Sequence, residues 1–179
     1  MKIRHPFEWL SDSYQSRAFG LLFVLTIAVM LTLQISGGTL KTDAAPAGIV
    51  SYEFAGSLPV AQKIIESWGA TGRVYAGLNL GFDYLFLVIY PLAIGLGCVI
   101  VARAGFLSTL GILLAWEQLL AGILDAIENY ALIQLLLGAR EASLPIIAQW
   151  CATLKFAIVG LGLAYFLIGG AVKLVSKKG

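Results

Sequence analysis

Four stretches of this chain are apolar almost without interruption: residues 18–35, 75–102, 106–138 and 144–175. A helix of about 20 apolar residues crosses a bilayer core, and each stretch is about that long or longer. Hydrocarbon leaves open backbone groups unsatisfied, so a spanning segment is a helix or part of a closed barrel. The runs show no period-two alternation, which predicts helices. The expected fold class is an all-α membrane protein, a four-transmembrane-helix bundle forming one domain over residues 1–179. About seventeen residues precede the first run, which is longer than the roughly 7–15 residues usual for the apolar part of a signal peptide. It reads as a retained span.

The longest polar interval, residues 37–74, has its own pattern. "SGGTLKTDAAPAG" is rich in turn formers and reads as a connector. "IVSYEFA" alternates and predicts a short extended segment. In "SLPVAQKIIESWG", Ser57 is placed to cap a helix and Pro59 sits in its first turn. Ala61, Ile64, Ile65 and Trp68 recur at i, i+3, i+4 and i+7, and Gly69 marks the stop. The spacing predicts a short amphipathic surface helix over residues 58–68, lying on the outer face of the membrane. Trp68 would then stand at headgroup level as a lid.

Charge supplies the orientation. Lys2, Arg4 and Arg17 precede the first span, Arg103 sits in the turn after the second, and Lys173, Lys177 and Lys178 close the chain. Lys41, Lys63, Arg73 and Arg140 lie in the other loops, diluted among acids. The positive-inside rule then predicts cytoplasmic termini and an outward-facing residue 37–74 loop. The chain is 59% hydrophobic and 12% charged, against about 45–50% and about 25% in soluble domains. A net charge of +2 without a basic block gives no footprint for nucleic acid. Cys98 and Cys151 fall near opposite faces by depth, so they read as buried thiols rather than a disulfide.

Against this apolar background the charges inside the spans stand out. With a rise of about 1.5 Å per residue, Glu117 lies roughly 6 Å to the cytoplasmic side of the third span's centre. On the same ruler Asp125 lies roughly 6 Å and Glu128 roughly 10 Å outward, Lys155 roughly 6 Å outward on the fourth span, and Asp83 roughly 8 Å on the second. At about 100° per residue Glu117 and Glu128 differ by about 20°, with Asp125 within about 80° of both. Asn79, Asp83 and Tyr90 form one stripe on the second span. Lys155 shares a face with Cys151, Ala152, Gly162 and Gly169, small residues that permit close helix approach. The expected ligand-binding set is therefore Asp83, Tyr90, Glu117, Asp125, Glu128 and Lys155, facing the bundle interior. Depth makes Asp125 the first choice of partner for Lys155 and Asp83 the second.

Several chemistries lack their residues. His5, ahead of the first span and expected to be solvated, is the one histidine, so His-ligated haem, a Glu-x-x-His di-iron pair and a His/Cys zinc site have no ligands to use. "DAIE" places two carboxylates at i, i+3, a spacing common by chance. No nucleophile elbow, Walker or dinucleotide-binding motif is present. "YEFA", "ESWG", "FDYLFLVIYPLA" and "LLAGILDAIENYAL" together resemble a family of bacterial four-helix integral membrane proteins with no assigned activity. The resemblance implies a four-span bundle in a bacterial inner membrane and no particular cofactor.

Three functional readings follow. The first is a protein binding a lipid, amphipathic cofactor or other small molecule in the outer half of the bundle. The second is an accessory subunit of a larger membrane complex, or a homodimer. The third is a lipid-modifying enzyme or proton- or cation-coupled carrier using the acidic cluster.

Overall fold

A computed structural model describes residues 4–176. Lys2, Lys177 and Lys178, which contribute to the charge-based orientation, lie outside the described residues. The elements are α1 (Asp12–Gly37), a 3₁₀ turn (Gly38–Leu40), α2 (Ile49–Glu53), α3 (Leu58–Arg103), α4 (Ser108–Leu136) and α5 (Ser143–Ser176). Among the described residues the chain is helical without strands, apart from an isolated bridge between Thr42 and Ala45. α1, α3, α4 and α5 are long and apolar enough to cross a membrane. Glycine breaks α3 into two helices. Gly69 has φ 60° and ψ −165°, a conformation essentially reserved for glycine. Pro91, further along α3, lacks the N–H that would bond the carbonyl four residues earlier.

The backbone divides into two compact units. The first contains the described residues up to Thr26, Val88–Gly122 and Lys155 onward. Its core joins Phe7, Leu96, Val99, Val101, Leu114, Ala115 and Tyr165, with Phe19, Leu22 and Phe166 against it. The residues before α1 are part of this packing. Phe7 is buried against Gly95, where a Cβ would come within 3.3 Å of the Phe7 ring. Gln15 holds the turn by donating from Nε2 to the carbonyls of Phe7 (3.1 Å) and Leu10 (2.7 Å). Its Oε1 accepts from Arg103 Nη1 at 2.8 Å, and Arg103 also pairs with Asp12. Trp116 Nε1 donates to the Arg4 carbonyl at 3.0 Å. His5, expected to be solvated, is partly buried and accepts the Phe7 N–H at Nδ1.

The second unit, Ile27–Leu87 with Ile123–Leu154, holds the loop between the first two long helices. Ala61, Ile64, Ile65 and Trp68 are all buried, together with Leu40, Tyr52, Ala76, Leu80, Leu132 and Leu135. The amphipathic stripe therefore faces the protein's own core. Trp68 is turned inward: it is 6% exposed, donates from Nε1 to the Leu40 carbonyl at 2.8 Å, and meets the Tyr52 ring edge-on at 5.2 Å.

"IVSYEFA" is also helical rather than extended, since Ile49–Glu53 form α2. Its alternation is overridden by one contact. Tyr52 turns inward, fully buried, and its hydroxyl donates to the Leu132 carbonyl of α4 at 2.9 Å. Glycines flank the segment, with φ 63° at Gly48 and φ 64° at Gly56, and at Gly56 a Cβ would sit 2.7 Å from Gln149 Oε1.

Candidate functional site

The second unit builds its polar cluster from two helices. On α4, Asp125, Glu128 and Asn129 stand at i, i+3 and i+4, one face of a helix. That face is inward: Asp125 is 2%, Glu128 0% and Asn129 2% exposed. Ile123, Ile127 and Tyr130, on the other faces of the same turns, are exposed. On α3, Asn79 is buried and Asp83, one turn on, is half-buried, while Phe82 and Leu85 point outward. Apolar side chains thus cover the outer surface of both helices, and the hydrogen-bonding groups turn in.

The two helices meet through these groups. Asn129 Nδ2 donates to Asp83 Oδ2 at 2.6 Å. Tyr84 donates from its hydroxyl to the Ala126 carbonyl at 3.5 Å. Asn79 turns to α1, donating from Nδ2 to the Leu33 carbonyl (3.0 Å) and to Ser36 Oγ (3.2 Å). It satisfies carbonyl and hydroxyl groups where α1 runs out of its own donors. The basic residues of this unit, Lys41, Lys63, Arg73 and Arg140, are all exposed.

Asn129 is absent from the expected site, yet it is the residue that touches Asp83. Its signal was present in "DAIEN", where an amide follows two acids on an otherwise apolar helix. Tyr90 and Lys155 belong to the first unit and are 5% and 6% exposed there, with the Lys155 ammonium 4.9 Å from the Phe156 ring centroid. The small-residue face expected on α5 is observed: Cys151, Ala152, Gly162 and Gly169 are buried.

Glu117 departs from expectation. It is exposed, and the buried polar residue of that turn is its neighbour Gln118, at 0% exposure. The inward stripe of α4 runs through Gln118, Ala121, Asp125 and Leu132. Glu117 lies about 80° from Asp125, at the edge of that stripe, so a small rotation of α4 turns it outward.

Among the described residues, no group of three or more His, Cys, Asp or Glu side chains is placed to hold a metal ion. The chemistry on offer is hydrogen bonding and charge: carboxylates and amides gathered in a face with little water. A carboxyl group so placed is either ligated by donors or held neutral. No protein-family model, curated protein or solved structure matches the chain, so function is argued from the site itself.

Proposed function

We propose that this is a small integral membrane protein whose second unit binds the polar end of a lipid, an amphipathic cofactor or another small amphiphile. Asp125, Glu128 and Asp83 accept hydrogen bonds from the ligand, and Asn129 orients Asp83. One observation carries the reading: two acids, one turn apart on an apolar helix, are almost wholly buried. Ionisable groups at membrane depth cost at least about 2.5–3.5 kcal/mol each on insertion scales and mark binding or transport sites by default. In this reading the residue 37–74 loop faces outward, both termini are cytoplasmic, and the membrane is the bacterial inner membrane that the sequence resemblance implies.

Native mass spectrometry of gently extracted protein tests it. A bound amphiphile is expected on the wild type. In the double variant Asp125→Asn, Glu128→Gln its occupancy should fall about tenfold, the loss of roughly 1.4 kcal/mol of binding, with helicity unchanged. A wild type that carries no small molecule, or a double variant that keeps it, overturns the proposal.

A second reading is an accessory subunit packed beside other chains, with α1 as the face that meets them in place of lipid. None of the residues in its most apolar 18-residue window is buried, and Leu21, Phe23, Val24 and Leu31 all face outward. The same spectra would then show stoichiometric partner chains in place of an amphiphile.

A further inference from the structure

The first unit carries a polar group for which the binding proposal has no use. Gln118 of α4 is fully buried. Its Nε2 donates to the Ile158 carbonyl of α5 at 3.0 Å. Its Oε1 is equally buried and has no hydrogen-bond partner among the described residues. The amide cannot be turned round to cure this, because its oxygen would then face the Ile158 carbonyl oxygen.

Gly162 makes the arrangement fit. A Cβ at that position would collide with Gln118 Nε2, and would lie 2.9 Å from its Cδ and 3.0 Å from Ile94 Cγ2. The glycine lets the amide reach the α5 backbone. Ile94, beside Gly162, and Ile158 have apolar side chains, and the Cys98 thiol is directed to the Gly162 carbonyl at 3.6 Å.

We infer that the first unit holds one neutral hydrogen-bond donor against Gln118 Oε1 between α4 and α5, the O–H of a water molecule or of an alcohol-bearing amphiphile. Buried acceptors in folded proteins nearly always have a donor. The donor is neutral because Glu117, the acid of this turn, is exposed, and an amide oxygen by itself does not offset the desolvation of a cation. An anion has no proton to give.

Isotope-edited infrared spectroscopy of the full chain reads this directly. Glutamine labelled at the side-chain carbonyl is incorporated, and the spectrum of Gln118→Met is subtracted to isolate the Gln118 band. If Gln118→Met does not fold, Gln118→Glu serves for the same subtraction. The expected band lies at the frequency of a hydrogen-bonded amide. Persistence of that position after delipidation assigns the donor to water. A shift to the free-amide position on delipidation, with the fold intact, assigns it to an alcohol-bearing amphiphile. A free-amide band in the native protein overturns the inference. In Gly162→Ala the intruding Cβ displaces the amide, and the bonded band should be lost.

Discussion

Asn129 and Asp83 illustrate how far one hydrogen bond can order a polar cluster in an apolar setting. Removing the donor of such a bond leaves its acceptor unsatisfied, at a cost of about 1–3 kcal/mol. Asn129→Ala should therefore lower stability by about that amount, as measured by reversible unfolding in detergent. Asn129→Asp is the sharper test. It sets a second carboxylate against Asp83, where the donor now stands 2.6 Å away. Two acids that close cannot both ionise comfortably, so the loss should be largest at neutral pH and shrink as acid protonates one of them. A deficit independent of pH would mean that the two side chains do not meet. Gly69 offers a test of backbone rather than side chain. No atom crowds it, so Gly69→Ala should fail through strain alone, by about 1–3 kcal/mol. Gly81, also uncrowded but inside regular helix, is the control: Gly81→Ala should be neutral or stabilising by about 0.4–1 kcal/mol. Equal effects at the two positions would remove the claim that Gly69 is conformationally special.

At the scale of elements, the long helices were legible because bilayer-length apolar runs admit few other structures. The break at Gly69 was legible for a related reason, since glycine ends helices where other residues continue them. What the sequence hid was direction. The stripe of Ala61, Ile64, Ile65 and Trp68 has the same period whether it faces a membrane or a protein core, and only the positions of Leu40 and Tyr52 decide between them. Glu117 and Gln118 differ by about 100° on an ideal helical wheel, and Gln118 falls within about 20° of Asp125 and Asn129, so its inward position was legible once Asn129 was counted in the stripe. Tyr52 lets this cap be probed. Burial pushes its phenol up from the ordinary value of 10. The unfolded chain then ionises first as pH rises, so the stability that Tyr52 contributes is complete below pH 10 and declines above it. Unfolding curves taken from pH 9 upward should show the wild type losing up to about 1.4 kcal/mol per pH unit more than Tyr52→Phe. Parallel curves would place the phenol in water.

For the whole molecule, what the proposed binding site can meet depends on which side of the membrane each end of α3 occupies. Beyond Gly69, α3 runs from Ala70 to Arg103, and at about 1.5 Å per residue it spans about 50 Å, more than the roughly 30 Å of a hydrocarbon core. On the proposed membrane reading its two ends lie in different aqueous compartments. The proposed orientation puts Arg103, which closes α3, on the cytoplasmic side, and the end that carries Lys63, Glu66 and Arg73 outside. Cysteine labelling in whole cells decides it. The two native cysteines are buried, and replacing both with serine leaves a silent background. Lys63 and Ala104 are exposed, so cysteines placed there should react freely once the membrane is opened. In intact cells an impermeant maleimide should label Lys63→Cys and spare Ala104→Cys. The reverse pattern would turn the polar cluster toward the cytoplasm, and any ligand would have to come from that side. Labelling of both positions in intact cells would mean that α3 does not cross, and the membrane reading of the acids would fall with it.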